Sequence, residues 1–202
     1  MLIGVPDFTT AHEGVDRLGE RCRIDPTVSV MRFGEPASLL TLEDDVSIYG
    51  HTRLVLGDVA GDPCVGLHIG PRTIVNVGCY LSGEGGLKIG ADVLIGAHVK
   101  LLSAGHAIDD GDWVIARNAI TRGGIVIEDG AWVGAGAIVL EGVRIGRGAV
   151  VAAGAVVRQN VPEGMVAAGM PARLIRRRRF PGDPESQVQM PATSWWRRIW
   201  RK

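Results

Sequence analysis

His106 is the side chain in this sequence best suited to move a proton. An imidazole with an ordinary pKa of about 6.5 exchanges a proton at neutral pH, as a general base must. A lone histidine is more often structural, so its place has to argue for it. His106 ends a patterned stretch and begins an unpatterned one. Residues 107–124, AIDDGDWVIARNAITRGG, are polar and turn-rich, with Trp113 in the middle. A loop of that length inside a compact fold is usually functional. The other chemistry-bearing types are less promising. His12, His51, His68 and His98 do not pair with one another or with His106 at the spacing a three-histidine zinc site needs. His98 takes an outward place in its repeat. Cys79 falls near a corner with no histidine beside it in sequence, a poor setting for a nucleophile. Cys22, Cys64 and Cys79 have no metal-like spacing and cannot all pair, which points to a reducing compartment.

What must position His106 is legible further along the chain. Residues 127–162 divide into sixes: IEDGAW, VGAGAI, VLEGVR, IGRGAV, VAAGAV, VRQNVP. Each opens on an aliphatic residue (Ile127, Val133, Val139, Ile145, Val151, Val157). Four places later stands a small or apolar one (Ala131, Ala137, Val143, Ala149, Ala155, Val161). A helix needs a period of about 3.6 and a half-buried strand needs alternation. A period of six with an aliphatic first place is that of a parallel β-helix. Each six residues supply a short strand and a tight corner, and coils stack at about 4.8 Å.

Looser hexads run back to Ile24, through Leu42, Ile69, Val75, Leu81, Ile89, Ile95 and Leu101. They are broken around 31–40 and 55–66, and slip by two residues at 83–87. The expected organisation is a lead-in over 1–22, in which Thr9 or Thr10 caps a short helix running to Leu18. A solenoid over 23–168 follows, with one protruding loop at about 107–124. A basic segment over 169–202 ends the chain, with a short helix or turn beginning near Pro171. Glycine, 29 residues in 202, suits a fold rich in corners. The net charge of zero argues against nucleic acid as a partner, although residues 176–202 are strongly basic. There is no evident secretion signal and no apolar run of the roughly 20 residues that span a bilayer. Residues 194–202, SWWRRIWRK, place tryptophans and cations on a segment that suits a membrane surface, a docked subunit or a solvated tail. The expected location is cytoplasmic, with peripheral contact at the inner membrane face.

Three stretches, SAGHAID at 103–109, WVGAGAIVLEGVRIG from Trp132 and AAGMPARLIR from Ala167, resemble the hexapeptide-repeat acyltransferases. The likeness is greatest to the galactoside and maltose O-acetyltransferase branch. It covers about residues 69–177 in register. The N-terminal third resembles the polysaccharide-modifying members more. The resemblance implies a left-handed parallel β-helix that forms homotrimers, with acetyl-CoA lying between two neighbouring prisms as co-substrate and no metal. It implies His106 as the base and Asn76 and Glu84 as acceptor-binding residues, Glu84 standing where relatives have Asp. It assigns Trp132, Ala135, Ala153, Arg158, Arg173 and Arg176 to the coenzyme, Arg158 standing where relatives often have Thr. These types suit the ligand. Arginine holds phosphates through its planar fork, and a thin pantetheine arm runs along backbone only where side chains are small. The implied chemistry is direct transfer to a sugar or polysaccharide hydroxyl, with a backbone N–H at the developing oxyanion. N-acetylation of an amino sugar, acetylation of serine or an antibiotic, and a non-catalytic binding solenoid are the alternatives.

Overall fold

The computed structural model describes residues 13–32, 40–56, 66–109 and 111–179. They form a left-handed parallel β-helix of triangular section. The chain visits three faces in turn. The first face is a 6-stranded sheet running from Arg17–Leu18 through Leu40–Leu42, Leu67–Ile69, Leu87–Ile89 and Ile125–Ile127 to Arg144–Ile145. The second face is 8-stranded: Arg23–Ile24, Ser47–Ile48, Ile74–Val75, Leu94–Ile95, Trp132–Val133, Val150–Val151, Met165–Gly169 and Ala172–Arg177. The third is 6-stranded, from Ser29–Arg32 through Arg53–Leu56, Tyr80–Ser82, Lys100–Leu101 and Ile138–Val139 to Val156–Val157.

The hexad's first place points inward on every face, so like side chains stack into ladders. Leu42, Ile69, Ile89, Ile127 and Ile145 are successive register partners on the first face. Ile48, Val75, Ile95, Val133 and Val151 are partners on the second. Leu54, Leu81, Leu101, Val139 and Val157 are partners on the third. All are buried. Residues four places after each opener, such as Val93, Ala131, Ala137 and Ala155, fill the corners of the same core. Thr73 takes one such place. Its hydroxyl donates to the Gly90 carbonyl at 2.8 Å and accepts from the Val93 N–H at 3.1 Å, which settles a buried polar group.

The corner between the first and second faces takes a left-handed residue in each coil. Glycine fills it late in the chain (Gly148, φ 60), whereas Arg72 (φ 57) and Asp92 (φ 56) fill it earlier. These two non-glycine residues offset the backbone cost with a paired fork, Arg72 Nε to Asp92 Oδ1 and Nη2 to Oδ2 at 2.7 Å each. The guanidinium holds the Asp92 carboxyl below its usual range.

Interruptions in the hexads are places where the chain leaves a corner and returns in frame. Leu87 pairs with Leu67, two residues more than three hexads, as the slip at 83–87 predicts. Two expectations are corrected. Arg17–Leu18 is a strand paired with Leu40–Leu42, not the end of a helix, so coiling begins inside the expected lead-in. The rest of that expected helix, from Thr9 or Thr10, lies outside the described residues except for 13–16, which are non-helical. After Pro171 the chain makes a turn and then a strand, not a helix. Ala172–Arg177 runs antiparallel to Met165–Gly169. The last coil otherwise ends in a row of unpaired backbone groups, and the returning strand pairs them. Residues 194–202 and Cys64 lie outside the described residues.

Candidate active site

The loop at 107–124 is a built arm. It leaves the corner between the third and first faces, in the coil after Lys100–Leu101. Ala104–His106 pairs antiparallel with Ile120–Arg122, His106 opposite Ile120. A short 3-10 turn, Ile115–Arg117, shapes the tip. One side of the ribbon is pinned to the next coil, because the Thr121 hydroxyl donates to the Glu141 carboxylate at 3.0 Å. A Cβ on Gly105 would lie 3.3 Å from the Thr121 Oγ1 and 3.9 Å from Glu141 Oε2, so Gly105 presents that same side. His106, the next residue, faces the opposite way by the alternation of a strand and is exposed.

Glu84 occupies the same corner one coil earlier. The Ser82 hydroxyl donates to its Oε2 at 3.0 Å, and the Glu84 N–H donates to the Ser82 Oγ at 3.3 Å. Ser103, at the root of the arm, donates to the Ser82 carbonyl at 2.8 Å and accepts from the Gly85 N–H at 2.9 Å. Both serines are buried. Glu84 and the root of the His106 arm are therefore held by one hydrogen-bonded unit. Asn76 is elsewhere. It follows Ile74–Val75 and turns the corner between the second and third faces. Its Oδ1 accepts from the Val77 N–H at 2.8 Å, which leaves the side-chain NH₂ as a donor with no protein acceptor among the described residues.

Trp132 stands on the outward side of the second face, in register with Leu94 and Val150, and is 48% exposed. Ala135 and Ala153 sit at the corner that follows this face, in adjacent coils, both exposed. The Gly154 N–H donates to the Ala135 carbonyl at 2.9 Å, so the two corners are stacked. The backbone there is close-packed: a Cβ on Gly134 would lie 2.5 Å from the Ala153 nitrogen. Arg173 and Arg176 are three residues apart, a spacing that puts side chains on opposite sides of a regular strand. Here a β-bulge intervenes. Arg176 pairs with Val166 and Arg173 with Ala168, with the register shift between. Val166 pairs with the outward Val150. The bulge therefore places both guanidiniums on the outward side that carries Trp132. Arg158 is separate, exposed at the corner between the third and first faces.

A family profile described as bacterial transferase hexapeptide (six repeats) matches residues 124–159. A Schizosaccharomyces pombe protein described as an acetyltransferase is 32% identical over 164 residues, 80% of this chain and 75% of its own length. The chain belongs to the hexapeptide-repeat acetyltransferases. A solved hexapeptide-repeat acetyltransferase of Vibrio cholerae, complexed with acetyl coenzyme A, superposes with a TM-score of 0.56 at 25% identity, over 82% of this chain and 73% of that one. A galactoside acetyltransferase in complex with coenzyme A gives 0.52 at 25% identity, over 78% of this chain and 64% of that one.

Within one protomer of this acetyltransferase the expected site residues divide between two regions of the prism. His106, Glu84 and Arg158 share the corner between the third and first faces. Asn76, Ala135 and Ala153 share the corner between the second and third faces, with Trp132, Arg173 and Arg176 on the adjoining outward face. Coenzyme A fits the second group: two arginines on one side for phosphates, an exposed indole, and small residues along a bare corner. Among the described residues no group of three His, Cys, Asp or Glu side chains could hold a metal ion. Cys79 is no nucleophile. It fills a core place, and burial pushes its thiol up to about 11. Sequence reasoning missed Ser82, Thr121, Glu141 and Asn118, all ordinary polar residues whose partners lie in other coils or across the arm. Only Ser103, inside the SAGHAID stretch, carried a signal.

Proposed function

We propose that this acetyltransferase transfers the acetyl group of acetyl-CoA to a hydroxyl of a sugar or polysaccharide unit, with His106 as general base. The observation that carries the reading is the rooted arm, which holds an exposed imidazole on a pinned ribbon beside the fixed carboxylate of Glu84. A hydroxyl is a weak nucleophile at neutral pH and gains from a positioned base. His106 accepts the hydroxyl proton as the oxygen attacks. Glu84 accepts a hydrogen bond from a neighbouring sugar hydroxyl, and the NH₂ of Asn76 donates one. Acetyl-CoA supplies a thioester, whose acyl carbon is open to attack and whose thiolate is a good leaving group. Trp132 lies against the pantetheine arm, Ala135 and Ala153 leave it room, and Arg158, Arg173 and Arg176 hold phosphates.

The division of these residues between two regions of one prism supports a closed homotrimer, in which the His106 corner of one copy faces the Trp132 face of the next. Each site is then shared by two copies, and a ring of three closes a head-to-tail contact.

The test is release of free CoA from acetyl-CoA with methyl glycosides, free hexoses, serine and glucosamine as acceptors. Turnover with methyl glycosides and an O-acetyl product is the expected result. Turnover confined to glucosamine, with an acetamide product, replaces the reading by N-acetylation. The same assay reads serine.

For residues 194–202 the composition supports peripheral contact with the inner face of the membrane, and so a cytoplasmic enzyme beside lipid-linked acceptors. Among the described residues no helix is long and apolar enough to cross a membrane. Co-sedimentation with anionic liposomes is expected for the full chain and lost on deleting 194–202. Equal sedimentation of the two forms refutes this contact.

A further inference from the structure

Most of the His106 arm is exposed. Trp113 is 101% exposed and Ile108 is 77% exposed, and of residues 111–120 only Asn118 is partly buried. The arm thus has no apolar core of its own, and a polar side chain holds it together. The Asn118 amide is used at every atom that can bond. Its Oδ1 accepts from the Asp112 N–H at 2.6 Å, and its Nδ2 donates to the Ala107 carbonyl at 2.9 Å and the Asp112 carbonyl at 3.2 Å. The tip is tightened further by the Asp112 Oδ1, which accepts from the Val114 N–H at 2.8 Å. Gly111 lies against the amide so closely that a Cβ there would come within 2.5–2.8 Å of the Oδ1, Cγ and Nδ2 of Asn118.

The place of this clamp matters. The ribbon's ladder ends at His106 opposite Ile120. Beyond it the Ala107 N–H donates to the Ala119 carbonyl at 2.9 Å, and the Ala107 carbonyl is taken by Asn118. Both backbone groups of the residue that follows His106 are thus fixed, one of them by a side chain. Before His106 the chain is fixed by Gly105 opposite Thr121 and by Thr121 on Glu141. The clamp continues the pairing where the strands can no longer supply it. It needs an amide, since only Asn or Gln both accepts and donates twice, and the shorter of the two suits the gap beside Gly111.

We infer that Asn118 is a positioning residue for the transfer reaction: its amide holds the arm so that His106 keeps the orientation in which it takes the acceptor's proton. The inference rests on His106 being the base. Displacing a catalytic group by about 1 Å costs up to about 100-fold in rate. The expected loss in kcat is therefore about 10- to 100-fold for Asn118→Ala. Asn118 contributes nothing to the coenzyme face, so the KM for acetyl-CoA stays within about twofold. Asn118→Asp keeps the size and the acceptor but cannot donate to Ala107, and loses as much. Gly111→Ala leaves Asn118 in the chain but pushes its amide away, and gives the same pattern from a different residue.

The three variants are assayed beside the unaltered enzyme and His106→Ala, using acetyl-CoA and the methyl glycoside with the fastest turnover. Melting temperature and oligomeric state are recorded on the same samples. A kcat loss of at least about tenfold in Asn118→Asp and Gly111→Ala, at unchanged KM for acetyl-CoA and unchanged assembly, supports the inference. Wild-type kcat in Asn118→Asp overturns it, as does a kcat loss matched by a rise in the KM for acetyl-CoA, which signals general disruption. If His106→Ala turns over normally, the base assignment fails and the positioning role falls with it. If His106→Ala is inactive and the Asn118 variants are normal, the positioning role alone is wrong.

Discussion

His106→Ala is expected to lower kcat about a thousandfold while the protein keeps its oligomeric state and its affinity for CoA. The size follows from what a positioned base contributes, typically about 10²- to 10⁴-fold. The retained assembly follows from the structure. His106 is exposed at the end of an arm strand, outside every core ladder, and the coil beneath it is closed by Ser82, Ser103 and Gly85 without it. Truncation therefore removes an imidazole without opening a cavity. Steady-state CoA release, CoA titration by calorimetry and size-exclusion chromatography check the three parts. Wild-type turnover refutes the assignment of the base. A loss of CoA binding as large as the loss of kcat places His106 on the coenzyme instead.

The second large effect is expected on binding. Replacing both Arg173 and Arg176 by alanine should raise the KM for acetyl-CoA about a hundredfold, with kcat changed by less than about threefold. Each arginine holding phosphate contributes a charge-assisted hydrogen bond, and about tenfold per residue is a moderate value for an exposed one. Arg177 supplies the control. It pairs with Met165, the neighbour of Val166, and so lies on the opposite side of the strand from Arg176. Arg177→Ala should leave the KM within about twofold. If Arg177→Ala matches the double variant, the basic run acts as diffuse charge and the shared face of Arg173 and Arg176 has no role. Lysine at 173 and 176 should recover only part of the loss, because an ammonium keeps the charge without the fork.

The core was legible at the level of single residues. Ile127, Val133 and Val139 open hexads, and each is buried on a different face. Ala131 and Ala137 follow at the fourth place and are buried as well. The two-residue slip at 83–87 and the departure of the loop near His106 were legible for the same reason, as breaks in a regular count. The terminal hairpin was not. Arginine-rich residues after a proline satisfy a helix as well as a strand, and the choice fell to the unpaired edge of the Met165–Gly169 strand. The coenzyme arginines were placed by resemblance, and their three-residue spacing could not by itself show that they share a side.

What the sequence alone determined about this acetyltransferase is its repeat, its inward residues and the position at which the His106 arm leaves the coil. A six-residue period is a local property. Each hexad meets the same environment as the last, so one rule reads all of them. What only the tertiary structure decided is which polar groups meet. Glu84 reaches Ser82, Thr121 reaches Glu141 across a coil, Asn118 closes the arm on Ala107, and a bulge turns Arg173 to the side of Arg176. Such meetings depend on register after an insertion and on the free edge at the end of the stack. Both are set by pairing between distant segments, and a period of six carries no information about them.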